Sequence, residues 1–204
     1  MATYDPNEEF TRTYQYYVEE IRRKDLFAVA AKLGLEYSAR QIEIQLLQKS
    51  YRIGSDGIIN EGGDRAGLDT CVILSKYILM CPDELPSQGH WTAYRDFKDT
   101  GPLTVYFRNE VEMKLIRSFT AKVPELETAA RRLDGYPPDT DAAYSFKVQF
   151  DALPHLPILV LFNDADEEFP ADCSILFRAS AEKYLDGESL AILANRLVNV
   201  LGNG

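Results

Sequence analysis

The sequence predicts an α+β fold, in which a mixed or largely antiparallel sheet carries helices packed on it. Helical and strand-like patterns occur in separate blocks rather than in alternation. In addition, the three clearest strands are joined by segments too short to hold crossover helices. A length of 204 residues suits one domain. We therefore expect a single domain over residues 1–204, with a helical segment at 1–35 and an α+β body at 36–204.

The first part of the chain shows one long helical pattern followed by strands. Apolar residues recur at three- and four-residue spacing from Glu8 to Leu35, and Gly34 is placed to end this helix. Apolar and polar residues alternate from Gln41 to Leu47, which is typical of a strand with one buried face. The turn sequence from Gly54 to Gly57 predicts a hairpin, followed by a loop from Asn60 to Gly67.

Three more helices are predicted in the middle of the chain. Leu68 to Met80 is apolar on nearly all sides, so its length favours a buried helix. The stretch from Asp83 to Gly101 is expected to be irregular. Pro102 begins a helix with apolar residues at steps of four, and Pro124 to Leu133 forms a further helix. The apolar positions at steps of four are Leu103, Phe107, Val111, Leu115 and Phe119.

The C-terminal third contains the strands that are easiest to recognise. Tyr144 to Phe150 alternates strictly, whereas Ile158 to Phe162 is apolar throughout and predicts a strand buried on both faces. Ser174 to Phe177 is a short third strand. We expect these three strands to be neighbours in one sheet, covered by a helix from Gly187 to Leu201 with Asp186 as its N-cap and Gly202 after its end.

Composition and charge exclude several classes of protein. The chain has 22 basic and 32 acidic residues, a formal net charge of -10, and the excess is concentrated after residue 133. Binding to nucleic acid or to an anionic membrane surface depends on Lys and Arg, so both are disfavoured. The longest apolar run is far too short to span a bilayer, and the first residues do not resemble a secretory signal. With three cysteines and no paired framework, we expect a cytoplasmic protein.

Signatures of common enzyme chemistry are missing from the sequence. There is no GxSxG, GxxxxGK[ST] or GxGxxG motif, and the two histidines and three cysteines do not have the spacing of a zinc site. An iron–sulfur cluster normally takes four thiolates, so this chain has no self-contained cluster site. The sequence therefore requires no cofactor, and the cofactor stays unknown. Cys71 and Cys81 are predicted to be reduced, buried and unpaired with one another.

An acidic run after a buried strand is the first candidate site. Asp164, Asp166, Glu167 and Glu168 follow the strand that ends at Phe162. Carboxylates at the end of a strand can converge on a hard cation such as Mg²⁺ or Ca²⁺, which prefers several oxygen ligands. Alternatively, Asp164 begins a turn and the glutamates are solvated loop charges.

A glycine-rich loop before the buried helix is the second candidate. Gly62, Gly63, Arg65 and Gly67 could present backbone N–H groups and one positive charge to an anion. The alternative is a loop in which glycine only serves turn geometry.

A cluster of aromatic residues with one cation is the third candidate. Trp91, Tyr94 and Arg95 could form a binding surface. They would otherwise pack a long connection onto the core.

Several stretches together resemble a family of bacterial and archaeal proteins known as domain of unknown function 3786. These stretches are residues 63–68, 91–97, 175–177 and 184–185, the last helix and, most specifically, residues 156–170 with the sequence LPILVLFNDADEEFP. The resemblance covers most of the chain after the first helix. Asp166, Glu167 and Phe169 are matched positions without an assigned role.

The resemblance implies a setting for the protein. In that family the domain is often joined or neighboured by a four-cysteine iron–sulfur module like those of corrinoid iron–sulfur proteins in anaerobes. This chain lacks the four cysteines, so a cluster would belong to a partner, an iron–sulfur or corrinoid protein.

Two functions remain open at this point, and the sequence does not decide whether the protein is an enzyme. The preferred hypothesis is an accessory protein that binds a ligand or partner in anaerobic redox, iron–sulfur or corrinoid metabolism. The alternative is a divalent-metal-dependent enzyme that uses Asp164, Asp166 and Glu168.

Overall fold

A computed structural model describes residues 6–203, and side chains from residue 11 onward. These residues form an α+β fold with two four-stranded antiparallel sheets. The helices are α1 Pro6–Arg22, α2 Leu26–Leu33, α3 Leu68–Leu79, α4 Thr104–Tyr106, α5 Met113–Phe119, α6 Val123–Arg132 and α7 Gly187–Gly202. The strands are β1 Glu36–Ser38, β2 Gln41–Leu46, β3 Lys49–Gly54, β4 Gly57–Asn60, β5 Trp91–Ala93, β6 Phe146–Leu153, β7 Leu156–Asn163 and β8 Asp172–Arg178. The α+β class and the antiparallel pairing are confirmed.

The predicted N-terminal helix is in fact two helices. The chain turns after α1, and Asp25 begins α2 by accepting a hydrogen bond from the Ala28 N–H at 3.1 Å. The single long helix was therefore wrong, because the apolar spacing continues through the break and hides this N-cap. Gly34 ends α2 as predicted, with a φ of 70° that favours glycine.

The first sheet is a meander in the order β1-β2-β3-β4. The predicted hairpin is confirmed, since Gly54 pairs with Gly57 across the β3–β4 turn. Helix α1 holds this turn, because the Tyr14 hydroxyl accepts a hydrogen bond from the Ile58 N–H at 3.1 Å. Gly57 has a φ of 120°, and a Cβ there would lie 1.8 Å from the Tyr14 hydroxyl oxygen, so only glycine fits.

The second sheet has the order β5-β8-β7-β6, with every pair antiparallel. The three strands predicted from the C-terminal third are neighbours in it, as expected. Strand β7 is buried on both faces, and residues from the segment 134–145 contact its neighbours β6 and β8. Tyr136 pairs with Gln149 at the β6 edge, and the hydroxyls of Tyr144 and Ser174 lie 3.4 Å apart over β8.

Strand β5 corrects the prediction that residues 83–101 are irregular. Trp91–Ala93 pairs with Leu176–Arg178 and forms one edge of the second sheet. Three residues without alternation carry too weak a local signal to be recognised as a strand. After Ala93 the chain turns into a short 3₁₀ helix, Tyr94–Asp96, and leaves the sheet.

The two sheets and the helices share one apolar core. Leu47, in the β2–β3 turn, donates from its N–H to the Ala152 carbonyl of β6 at 3.1 Å, which links the sheets. Helix α3 packs against α1 on one side and α7 on the other, and Lys76 of α3 forms an ion pair with Asp186, the N-cap of α7, at 2.8 Å. Among residues 6–203, none of the helices is long and apolar enough to cross a membrane.

The cysteines are all unpaired, but only two are buried. Cys71 lies in the core on α3 and Cys173 on β8, whereas Cys81 is partly exposed just after α3. Burial raises the pKa of Cys71 to about 12. The expectation that Cys81 is buried was therefore wrong, because α3 ends at Leu79 and releases the chain towards the surface.

One helical segment positions the candidate site. A 3₁₀ turn at Gly101–Leu103, α4, a π-helical turn at Phe107–Glu112 and α5 follow one another without a break. This segment packs on β8, while α7 packs mainly on α3 and on the segment itself. This helical segment therefore lies next to β8, and the covering of the sheet by α7 stays a prediction.

Candidate functional site

A cleft of about 480 Å³ opens where β5 and β8 separate. One wall is the end of β5 with the 3₁₀ turn, a second is the outward face of β8, and the third is the π-helical turn. Its polar lining includes Tyr94, Arg95, Arg108, Glu112, Asp172 and Ser174. The volume lies within the range of small-molecule sites, which is about 300 to 1,000 Å³.

The base of the cleft is an ion-paired network on the edge of β8. Arg108 donates to the Glu112 and Asp172 carboxylates and to the Cys173 carbonyl, each at 3.0 Å. Glu112 in turn accepts a hydrogen bond from the Ile175 N–H at 3.2 Å. Strand β5 ends opposite Leu176, so these side chains satisfy backbone groups that a longer β5 would have paired.

Burial sets the electrostatics of this network. It raises the pKa of Glu112, and this effect exceeds the opposing effect of its bonds to Arg108 and the Ile175 N–H. The hydrogen bond to Glu112 and the one to Asp172 raise the pKa of Arg108. A desolvated carboxylate with a raised pKa in a cleft is a common feature of functional sites.

An aromatic stack forms the apolar side of the cleft. The rings of Tyr94 and Phe107 are parallel to within 3°, with centroids 4.1 Å apart. The Tyr94 hydroxyl donates to the Gly187 carbonyl at 2.9 Å, and burial raises its pKa to about 12. Tyr94 is therefore a fixed, neutral wall of the cleft, and it also links the cleft to the start of α7.

The π-helical turn determines where Arg108 and Glu112 lie. The Met113 N–H bonds to the Arg108 carbonyl, five residues back, so this turn is wider than an α-helical turn. Wide turns of this kind are frequent at functional sites. Apolar residues at steps of four also line an ordinary α-helical face, so the sequence carries no separate signal for this turn.

The predicted aromatic surface is only partly at the cleft. Tyr94 and Arg95 line it, and Tyr94 is buried rather than displayed. Trp91 lies outside it, with the Arg178 guanidinium 3.9 Å above its ring. The Trp91 indole nitrogen is buried and has no hydrogen-bond partner. Sequence reasoning missed Arg108, Glu112 and Asp172, which come from two distant segments.

The acidic run is organised by backbone N–H groups. Asp164 accepts hydrogen bonds from Ala121, at 2.8 and 3.1 Å to its two oxygens, and from Ala165 at 2.9 Å. Asp166 accepts from Glu168 and Phe169 at 2.8 and 2.7 Å. The bond from Phe169 and the one from Glu168 lower the pKa of Asp166. Glu167 and Glu168 are exposed.

In the glycine-rich loop, backbone N–H groups donate hydrogen bonds to acceptors within the same loop. The Gly63 N–H donates to the Asn60 carbonyl and the Asp64 N–H to the Asn60 side chain, both at 3.0 Å. The Arg65 guanidinium lies 5.0 Å from the centre of the Tyr14 ring. Gly62 is in the exposed loop, and Gly67 is the N-cap of α3. The four residues are thus not gathered around a common pocket.

Comparison with known families identifies the chain. The model of the family described as domain of unknown function (DUF3786) matches residues 25–200. The chain belongs to this family. Comparison of this chain with the curated proteins and with the solved structures found no match.

The DUF3786 match covers both sheets and every residue of the cleft, and it begins at the N-cap of α2. Helix α1 lies before the matched range. The cleft is therefore a feature of the part of this chain that matches the DUF3786 model.

The polar groups of the cleft in this DUF3786 member bond mainly to other groups of the protein. Its two carboxylates share one guanidinium, and the Thr104 hydroxyl donates to the Thr100 carbonyl at 3.1 Å. The closest polar partner of the Ser174 hydroxyl is the Tyr144 hydroxyl. Within residues 6–203, no group of three or more His, Cys, Asp or Glu side chains is arranged to hold a metal ion.

Proposed function

We propose that this protein is an accessory protein that binds a small polar ligand in the cleft at the β8 edge. The observation that carries the proposal is the network of Arg108, Glu112 and Asp172, which holds charged groups in fixed positions at the base of a cleft. Fixed charges favour recognition, since little side-chain entropy is lost when a ligand binds. The hydroxyls of Tyr94, Thr104 and Ser174 bond to two backbone carbonyls and the Tyr144 hydroxyl rather than to a carboxylate or imidazole base, which favours binding over nucleophilic catalysis.

Native mass spectrometry tests this function directly. The protein is purified anaerobically from its own cells, and its mass is compared before and after incubation with the small-molecule filtrate of the same cells. We expect an adduct on the wild type that Arg95→Gln and Asp172→Asn lose and that Arg131→Gln keeps. Arg131 is a matched control, because it is an exposed arginine on α6 that does not line the cleft.

Two results would contradict the proposal. If the wild type forms no adduct, the proposal that the protein binds a small ligand is contradicted. If both cleft variants keep the adduct, the ligand binds outside the cleft.

The partner is a further part of the proposal. The resemblance supports an iron–sulfur or corrinoid protein of anaerobic metabolism as the partner, because such modules accompany the family. Affinity purification under anaerobic conditions should then co-isolate a protein with the visible absorbance of a cluster or corrinoid. Isolation of the chain with only colourless partners would contradict this part and leave the ligand site untouched.

The metal-dependent enzyme stays as the alternative prediction. Asp164 and Asp166 each bond to different backbone N–H groups instead of converging, which gives this alternative less support. If these residues and Glu168 bind Mg²⁺, Mn²⁺ or Ca²⁺, the ion should stabilise the folded protein and raise its melting temperature. At an ion concentration 100 times the Kd, the free energy of unfolding should increase by about 2.7 kcal/mol. Asp166→Asn should abolish that shift. An effect no larger than that of Na⁺ at equal ionic strength would eliminate the alternative.

A further inference from the structure

The charged groups of the cleft are arranged in two regions of opposite sign. At the base, two carboxylates share the single guanidinium of Arg108, which leaves a formal charge of -1. At the opening, Arg95 contributes a charge of +1 to the lining; its side chain is 74% exposed and is ion-paired at 3.9 Å with Asp96, which does not line the cleft. The lining is therefore neutral in total but dipolar, in a protein whose formal net charge is -10.

Both regions have groups that a ligand can reach. Asp172 uses one carboxylate oxygen for Arg108, and its side chain is 48% exposed. The nearest carboxylate to Arg95 is Asp96, at 3.9 Å from the guanidinium nitrogen, which is beyond hydrogen-bonding distance. Asp172 can thus accept a hydrogen bond from a cation, and Arg95 can donate to an anion.

We propose that the ligand is a small zwitterion with one ammonium and one carboxylate group, namely an α-amino acid. This inference rests on the proposed function of the cleft as a ligand site. The ammonium group binds at Asp172 and the base network, and the carboxylate binds Arg95. The ligand's remaining atoms lie against Leu176, Ala93 and the ring stack of Tyr94 and Phe107.

Ligands of a single charge fit the cleft less well. A phosphate or a dicarboxylate would meet Asp172 and Glu112 beside Arg108 and would be repelled by the net negative base. A metal ion or a polyamine would meet the guanidinium of Arg95. A zwitterion places each of its charges next to the opposite charge, so that specificity comes from both attraction and repulsion.

Titration followed by NMR tests the inference. The twenty standard amino acids are added in pools, with the methyl signals of Ala93 and Leu176 as reporters of the cleft. Each amino acid that binds is compared with its N-acetyl form, which lacks the cation, and with its carboxamide, which lacks the anion. We expect the zwitterion to bind at least tenfold more tightly than either derivative.

Variants assign the two ends. Arg95→Gln should weaken binding of the amino acid at least tenfold but leave binding of the carboxamide unchanged. Asp172→Asn should weaken binding of the amino acid but leave binding of the N-acetyl form unchanged. Arg131→Gln serves as the control and should bind as the wild type does. Both positions are well exposed, and unchanged signals outside the cleft verify that each variant is folded.

The outcomes separate this inference from the function on which it rests. The proposal of a zwitterionic ligand is overturned if no amino acid shifts the NMR signals of the cleft, or if a derivative binds as tightly as its amino acid. If the cellular adduct described above is nevertheless present and depends on the cleft, the ligand site stands and only its class is wrong. If neither is seen, both fail.

Discussion

Two groups of carboxylates have opposite environments, although members of both lie within the short stretch from Asp164 to Asp172. Asp164 and Asp166 lie on an exposed loop after β7 and accept hydrogen bonds from backbone N–H groups. Asp172, at the start of β8, joins Glu112 on the guanidinium of Arg108 in the cleft. The first group organises a loop, and the second forms the base of a candidate site.

The difference shows that acidic residues acquire a role from their partners. Hydrogen bonds from N–H groups lower the pKa of Asp166, whereas burial raises the pKa of Glu112. The run of carboxylates is conspicuous in the sequence, but its charges are used locally. The cleft carboxylates are inconspicuous, because one lies on a helix and the other on a strand.

The largest expected effect is that of removing the shared cation. Arg108→Ala leaves Glu112, whose side chain is only 15% exposed, without its ion pair and leaves the Cys173 carbonyl without its donor. We expect a loss of about 2 kcal/mol in the free energy of unfolding, less than for a fully buried pair because Arg108 is 44% exposed. Urea denaturation measures it.

Arg131→Ala is the matched control for that change. It also breaks an i,i+4 pair, with Glu127, but both side chains are well exposed, so the loss should be below about 0.5 kcal/mol. Equal losses for Arg108→Ala and Arg131→Ala would show that the cleft network contributes no more to stability than an exposed ion pair does.

An intermediate effect is expected in the acidic run. Asp164→Ala removes the acceptor for the N–H groups of Ala121 and Ala165 and should cost about 1 kcal/mol, as loss of a helix cap does. Glu167→Ala, a neighbour that is exposed, should change stability by less than about 0.5 kcal/mol. Thermal unfolding of both variants distinguishes the two residues, and a neutral Asp164→Ala would mean that the loop does not depend on this cap.

The smallest effect is a difference in pH dependence. The folded pKa of Glu112 is raised above 4.5, so its contribution is fully present below that pH and is lost as the pH rises through the raised pKa. The folded pKa of Asp166 is lowered from 3.8, so its contribution is present above that pH and is lost as the pH falls through the lowered pKa.

Denaturation of Glu112→Gln and Asp166→Asn at several pH values tests these signs. As the pH falls from 7, the stability of the wild type relative to Glu112→Gln should increase. Relative to Asp166→Asn it should decrease, and only below about pH 4. If the stability of the wild type relative to the two variants changed in the same direction with pH, the two groups of carboxylates would not differ in their effect on stability.

Much of the fold could be predicted because its signals are local. The alternation from Tyr144 to Phe150 and the apolar run at Ile158 to Phe162 identified β6 and β7, and short connections implied their antiparallel pairing. The break at Asp25 was missed because apolar spacing on both sides of it concealed the cap. Strand β5 was missed because three residues form a strand only when β8 supplies their partner.

The candidate site was predicted less completely. Tyr94 and Arg95 were identified from an aromatic and cationic cluster, and the structure places both at the cleft. Arg108 and Glu112 have the spacing of an ordinary exposed i,i+4 pair, and nothing near them in the sequence indicates β8. The π-helical turn could not be predicted, because apolar steps of four also occur on an ordinary α-helical face.

By itself, the sequence determined most of the helical and strand segments and which faces they bury, because hydrophobic periodicity acts over a few residues. Only the tertiary structure decided where β5 ends and what completes the exposed edge of β8. Arg108 meets Asp172 across 64 positions of the chain, and Glu112 meets Ile175 across 63. The charges of the cleft exist as a group because two distant segments pack together, and burial then changes the pKa of Glu112 in a way that its neighbours in the sequence could not.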